Sequence, residues 1–143
     1  MSAEKLYSEV FEEFNKVTTK TDRVAVLQKY DSKAFRTFLV AAFNPAVQFD
    51  APLPNTYRPA VEPAGLNFTY LDMEMSKLYR FIKDHPQRDP NLTDAKKTEL
   101  LRVILESLHK DEARLLVSLI QKKVEVRYLT VNLIKEAFPD ISL

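Results

Sequence analysis

The chain has 143 residues, 45% of them hydrophobic and 29% charged, with a formal net charge of +1. One domain over residues 1–143 is expected, and a domain of this size buries roughly 70% of its unfolded surface without staples. No cysteine, two histidines (His85 and His109) and a single glycine (Gly65) exclude a disulfide framework, thiolate metal sites and glycine-rich phosphate loops.

Residues 3–17 read as an amphipathic helix with Ser2 as N-cap and Glu4 in the first turn. Leu6, Val10 and Phe14 form its stripe, flanked by Tyr7 and Phe11. A polar break at 18–21 follows, and Thr21 with Asp22 opens a second helix to about Tyr30, with Val24 and Leu27 inward. Asp31 or Ser32 caps a third helix whose apolar face is Phe35, Phe38, Leu39, Ala42 and Phe43.

Residues 44–69 interrupt the helical pattern. Pro45, Pro52, Pro54, Pro59 and Pro63 fix φ and remove backbone donors, so neither helix nor central strand fits. Val47, Phe49, Leu53, Tyr57, Val61, Leu66 and Phe68 make the segment too apolar for a solvated linker. An ordered extended loop lying across the helices is expected.

Thr69 and Asp72 have the spacing of a capping box, and Leu71, Met75, Leu78 and Ile82 form a helical stripe to Lys83 or Asp84. His85-Pro86 ends that helix. Thr93 caps the next, roughly 94–108, with Leu100, Leu101, Ile104 and Leu108 inward. After a break at His109-Lys110, Asp111 and Glu112 open a helix carrying Leu115, Leu116, Leu119 and Ile120. Val124 to Val131 alternates like a strand but has no evident partner, and reads as an extended connection after a frayed helix end. Thr130 caps a last helix, about 131–138, carrying Leu133, Ile134 and Phe138 and stopped by Pro139. The fold class is all-α: one compact bundle of six or seven short helices with a long Pro-rich ordered loop.

Catalytic chemistry finds no foothold in this pattern. No carboxylate pair has a neighbour that would shift its pKa for acid–base work, both histidines read as surface residues, and no nucleophile sits in a recognisable turn. The chain is expected to be no enzyme, with no metal, no cofactor and no small-molecule substrate. No apolar run is long enough for a membrane span. The one basic cluster is Arg114, Lys122, Lys123 and Arg127, opposed by Glu125, with Lys135 one helix on. Such side chains can neutralise phosphates. Lys96, Lys97 and Arg102 read as plain surface.

Three C-terminal stretches carry a family resemblance: Leu100 to Leu105, Leu115 to Lys123, and Thr130 to Ile141. Val26 to Tyr30, Phe35 to Phe43 and Asn44-Pro45 add to it. Together they resemble the α-helical N-terminal DNA-binding domain of ATP-dependent DNA ligases from tailed phages. Two positions depart from that pattern. Tyr128 stands where those ligases have a loop glycine, and Asp50-Ala51-Pro52 stand where they tend to carry lysines. A Lys-x-Asp-Gly ligase nucleophile cannot exist in a chain whose one glycine follows Ala64.

The resemblance implies a free-standing, phage-encoded accessory protein in the host cytoplasm, similar to small phage proteins of otherwise uncharacterised family. Its expected activity is non-catalytic binding of the duplex DNA backbone without strong sequence preference. Arg114, Lys122, Lys123, Arg127 and Lys135 would meet phosphates, and Thr130 and Asn132 would add hydrogen bonds. The alternative is an adaptor that docks on a phage or host replication or transcription protein through Phe49, Leu53 and Tyr57.

Overall fold

A computed structural model describes residues 6–59 and 69–143. Its described residues form seven α-helices: α1 Tyr7–Lys16, α2 Lys20–Lys29, α3 Lys33–Phe43, α4 Leu71–Glu74, α5 Asp94–Ser107, α6 Lys110–Ile120 and α7 Val131–Ala137. A 3-10 helix, Met75–Phe81, continues directly from α4. No strand forms among the described residues; pairing is limited to isolated bridges. The chain is all-α.

Local chemistry sets most helix starts. Ser32, Thr93 and Thr130 each accept a hydrogen bond from the backbone N–H three residues on, as N-caps do. Helix α2 begins at Lys20, earlier than the sequence suggested, because Thr19 supplies the cap, accepting from Asp22 N–H at 3.1 Å. At α1 the Glu9 carboxylate folds back to accept the Leu6 N–H at 3.0 Å. The expected Ser2 cap and Glu4 lie outside the described residues.

The segment expected as one helix over 69–83 is two. Met75, Leu78 and Phe81 are all buried. A spacing of three fits a 3-10 helix, in which residues i and i+3 eclipse. The expected stripe ended on Ile82, which is only half-buried; Phe81, fully buried, takes its place. The Thr69–Asp72 capping box does not form either. Asp72 instead accepts from the Tyr7 hydroxyl at 2.6 Å and the Ser32 hydroxyl at 3.2 Å.

One apolar cluster draws on every helix. Phe14, Phe35, Phe38 and Phe81 are each within 1% of full burial, and each contributes about 2–3 kcal/mol relative to an exposed ring. The Tyr7 ring meets Phe35 and Phe38 edge-on at 5.3 and 5.2 Å. Helix α7 packs chiefly on α2, and α1 packs on α2 and α6. Two inward assignments shift by a residue or two. Val26 is buried where Val24 is half-buried, and Ala41 is buried where Ala42 and Phe43 are not.

Residues 45–59 contain no helix. Asp50 N–H donates to Phe81 O at 2.6 Å and Lys83 N–H to Gln48 O at 2.7 Å, forming an antiparallel bridge between Phe49 and Ile82. Further along, the Thr98 hydroxyl reaches Pro52 O at 2.9 Å, and Arg58 N–H reaches the Glu106 carboxylate at 3.2 Å. This stretch therefore lies over α5. Of the expected apolar loop residues, Val61, Leu66 and Phe68 lie outside the described residues, as do Pro63 and Gly65.

That cover explains a wrong expectation. Lys97, read as plain surface, is 3% exposed. Its ammonium pairs with Asp50 at 3.4 Å and Asp94 at 3.8 Å. Arg88 also pairs with Asp50, at 3.2 Å. Arg88 and Lys97 together hold the Asp50 carboxyl below its usual range.

Candidate nucleic-acid interface

The connection between α6 and α7 is built by a helix-end motif. Lys122 has φ 57. Its N–H donates to Leu119 O at 3.0 Å, and the Lys123 N–H donates to Ser118 O at 2.8 Å. That is a Schellman ending with lysine at the position glycine usually fills. The chain then runs extended through Val124 and Val126, which pack on the core, while Glu125 and Arg127 face solvent. Tyr128 turns the chain at φ 70, and Leu129 returns it to the core before the Thr130 cap.

The seven expected DNA-contacting residues separate here. Arg114, Lys123, Arg127, Thr130, Asn132 and Lys135 are exposed. Arg114, Lys123, Arg127 and Lys135 make no ion pair among the described residues. Lys122 belongs elsewhere: its ammonium donates to Ala41 O at 2.6 Å and to Asn44 O at 2.9 Å. Ala41 lies in the last turn of α3 and Asn44 is its C-cap, so both carbonyls stand at the negative end of that helix. Desolvation holds the Lys122 ammonium below its ordinary pKa. Lys122 clamps α6 to α3. The Thr130 hydroxyl likewise has a local duty, accepting from Leu133 N–H at 3.2 Å.

Arg23, on α2, is the residue that sequence reasoning missed. Its guanidinium carbon lies 3.7 Å from the Tyr128 ring centroid, and that of Arg127 lies 4.9 Å from the same centroid. Arg23 sits 105 positions before Tyr128, so no local pattern signals the contact. Nearby, Lys20 is matched by Glu136 at 3.3 Å.

Phe49, Leu53 and Tyr57 do not form a bare apolar face. All three are half-buried and packed against the core cluster. The exposed large apolar side chains among the described residues are Met73, Val103 and Tyr128.

Asp111 and Glu112 stand in the first turn of α6, as expected. Glu112 is fully buried in the first turn of α6. Its Oε2 accepts the Tyr7 N–H and its Oε1 the Leu71 N–H, both at 2.7 Å. Burial pushes this carboxyl up to about 7, with the two backbone donors opposing the rise. A carboxylate with a shifted pKa therefore exists, but it is sealed in the core and reaches no solvent. His109, read as a surface residue in a break, is the N-cap of α6, its Nδ1 accepting from Asp111 N–H at 3.2 Å.

No group of His, Asp or Glu among the described residues could hold a metal ion. No helix among them is long and apolar enough to cross a membrane. No curated protein and no solved structure matches the chain. The model of a family of unknown function, DUF6433, matches residues 10–126, a span that stops just before Arg127, Tyr128 and α7, and the chain belongs to this family.

Proposed function

We propose that this protein is a non-catalytic helical module that binds the backbone of duplex DNA without strong sequence preference. In this reading its helices act as one bundle, with the Pro-rich segment laid across it, as a free-standing phage relative of ligase DNA-binding domains. The observation that carries it lies at the α6–α7 connection. Tyr128 has φ 70, the backbone a glycine would adopt, at the position where those ligases have glycine. On the same connection and on α7, Lys123, Arg127 and Lys135 are exposed cations with no ion pair among the described residues. Exposed, unpaired cations are the groups whose charge is free to release counterions from a phosphate backbone.

The proposed contact set is narrower than the sequence suggested. Arg114, Lys123, Arg127 and Lys135 would meet phosphates, and Asn132 would hydrogen-bond at the start of α7. Lys122 is excluded because its donors are taken by α3 carbonyls. The adaptor reading is weaker, because Phe49, Leu53 and Tyr57 already pack on this chain's own core.

Filter binding of a duplex against salt tests the proposal. Each lost phosphate contact should lower the log–log slope by about 0.9, so Lys123→Ala and Arg127→Ala each reduce it while binding persists. No binding at low salt ends the DNA reading and favours a protein partner.

A further inference from the structure

The Tyr128 ring gathers two guanidiniums that lack a counter-charge. Arg23 and Arg127 both lie within 5 Å of its centroid. Neither forms an ion pair among the described residues. Among the described residues Arg23 makes one hydrogen bond, a long one of 3.5 Å from Nη2 to Val17 O. Its Nε is buried with no hydrogen-bond partner. Buried donors are nearly always satisfied, and one that is not calls for an explanation. Two like charges drawn to one ring repel each other unless something anionic lies between or beside them.

The acids nearby do not supply that charge. Glu125 is exposed and pairs with neither arginine, and Glu136 is engaged by Lys20. The ring that gathers the cations is itself held at φ 70, a conformation costing a non-glycine residue roughly 1–2 kcal/mol. A large aromatic there places a ring within 5 Å of both guanidinium carbons. Planar guanidinium forks offer paired N–H donors, the geometry that suits phosphate oxygens.

We propose that Arg23, Tyr128 and Arg127 form an anion clamp that takes a phosphate group of a nucleic-acid backbone. Tyr128 holds the two guanidiniums in place, and the phosphate supplies the missing counter-charge. The clamp carries the interface across to α2, which no sequence pattern indicated. As to the identity of its ligand, it rests on the DNA-binding reading; as an anion site it stands on the arginine–tyrosine geometry alone.

Two measurements on the full chain separate these. The first is an NMR titration with inorganic phosphate, following the Arg23 Nε–Hε and Tyr128 ring resonances. A saturable shift of both is expected. Arg127→Gln, at an exposed position, should weaken it roughly tenfold, the loss of one good charge-assisted contact. Arg23→Lys should weaken it too, since charge is kept but the planar fork is lost. The second is a salt titration of duplex binding, in which Arg23→Gln should lower the log–log slope by about 0.9.

No saturable phosphate shift overturns the clamp, as does a shift that survives Arg127→Gln and Arg23→Lys unchanged. Duplex binding with a slope unaffected by Arg23→Gln removes the clamp and leaves the DNA reading on Lys123 and Lys135. A phosphate shift without any duplex binding removes the DNA reading and leaves the clamp.

Discussion

The Glu112 carboxylate accepts the backbone N–H of Tyr7 at 2.7 Å across 105 residues of sequence. Its other oxygen accepts from Leu71 at the same distance. Tyr7 and Leu71 are the first residues of α1 and α4, whose opening N–H groups have no partner within their own helices. One side chain from α6 thus terminates two other helices and fixes where all three meet.

Glu112→Gln breaks this arrangement, because the two donors meet different oxygens and the amide turns an NH2 group toward one of them. A buried N–H left without a partner costs about 1–3 kcal/mol. Urea unfolding at pH 5 should show a loss of that size. Unchanged stability at pH 5 would mean that the double cap contributes nothing.

The same carboxyl sets a pH dependence. Its folded pKa, about 7, lies above its ordinary value of 4.5, so the folded state holds the proton more tightly. Its contribution is full below 4.5 and is lost as pH rises from there through about 7. The upper limit is about 3 kcal/mol, from a shift of that size. Asp31 and Asp50 act oppositely: their folded pKa values are lowered by Arg36, and by Arg88 with Lys97. Their contribution fades as pH falls below the ordinary carboxylate range. Stability should therefore peak in mildly acid solution and decline toward pH 8. In Glu112→Gln the decline should flatten, so the gap to the parent protein narrows as pH rises.

Lys122 and Lys123 are adjacent but should behave differently. Lys122→Ala removes two hydrogen bonds to α3 carbonyls and should cost about 1–3 kcal/mol in thermal or urea unfolding, with the salt slope of DNA binding unchanged. Lys123→Ala should leave stability within about 0.5 kcal/mol and lower the slope by about 0.9. The reverse pattern would place the interface on the wrong lysine.

Tyr128→Gly and Tyr128→Ala distinguish strain from stacking. Glycine relieves the positive φ, worth roughly 1–2 kcal/mol, while losing two arginine contacts of about 0.5–1 kcal/mol each. Those terms nearly cancel. Alanine keeps the strain and loses the contacts, so it should be the less stable variant by about 1 kcal/mol. Calorimetric midpoints would show the order.

Phe49→Ala with Tyr57→Ala tests whether the loop is core or docking surface. Both rings pack on the central cluster while staying half-buried. The double variant should lose about 3–5 kcal/mol, less than two fully buried rings would. A folded, equally stable double variant that loses capture of a replication or transcription protein would revive the adaptor reading.

Short-range patterns along the chain specify the all-α class, the positions of most helices and the caps at Ser32, Thr93 and Thr130. Each of those depends on residues within about four positions of one another: apolar spacing, a hydroxyl before a helix, a proline after it. The split of 69–83 was present as a second stripe, Met75, Leu78 and Phe81, but a spacing of three is hard to tell from 3.6 over two turns. Tertiary structure alone decided the rest. Glu112 looks like an ordinary first-turn acid until α1 and α4 bring it their N–H groups. Lys97 reads as surface until residues 45–59 cover it, and Lys122 reads as a free cation until α3 ends beside it. Arg23 meets Tyr128 only because the α6–α7 connection passes the start of α2. These roles arise from desolvation and from donors shared between distant segments, and neither is a property of any short stretch of chain.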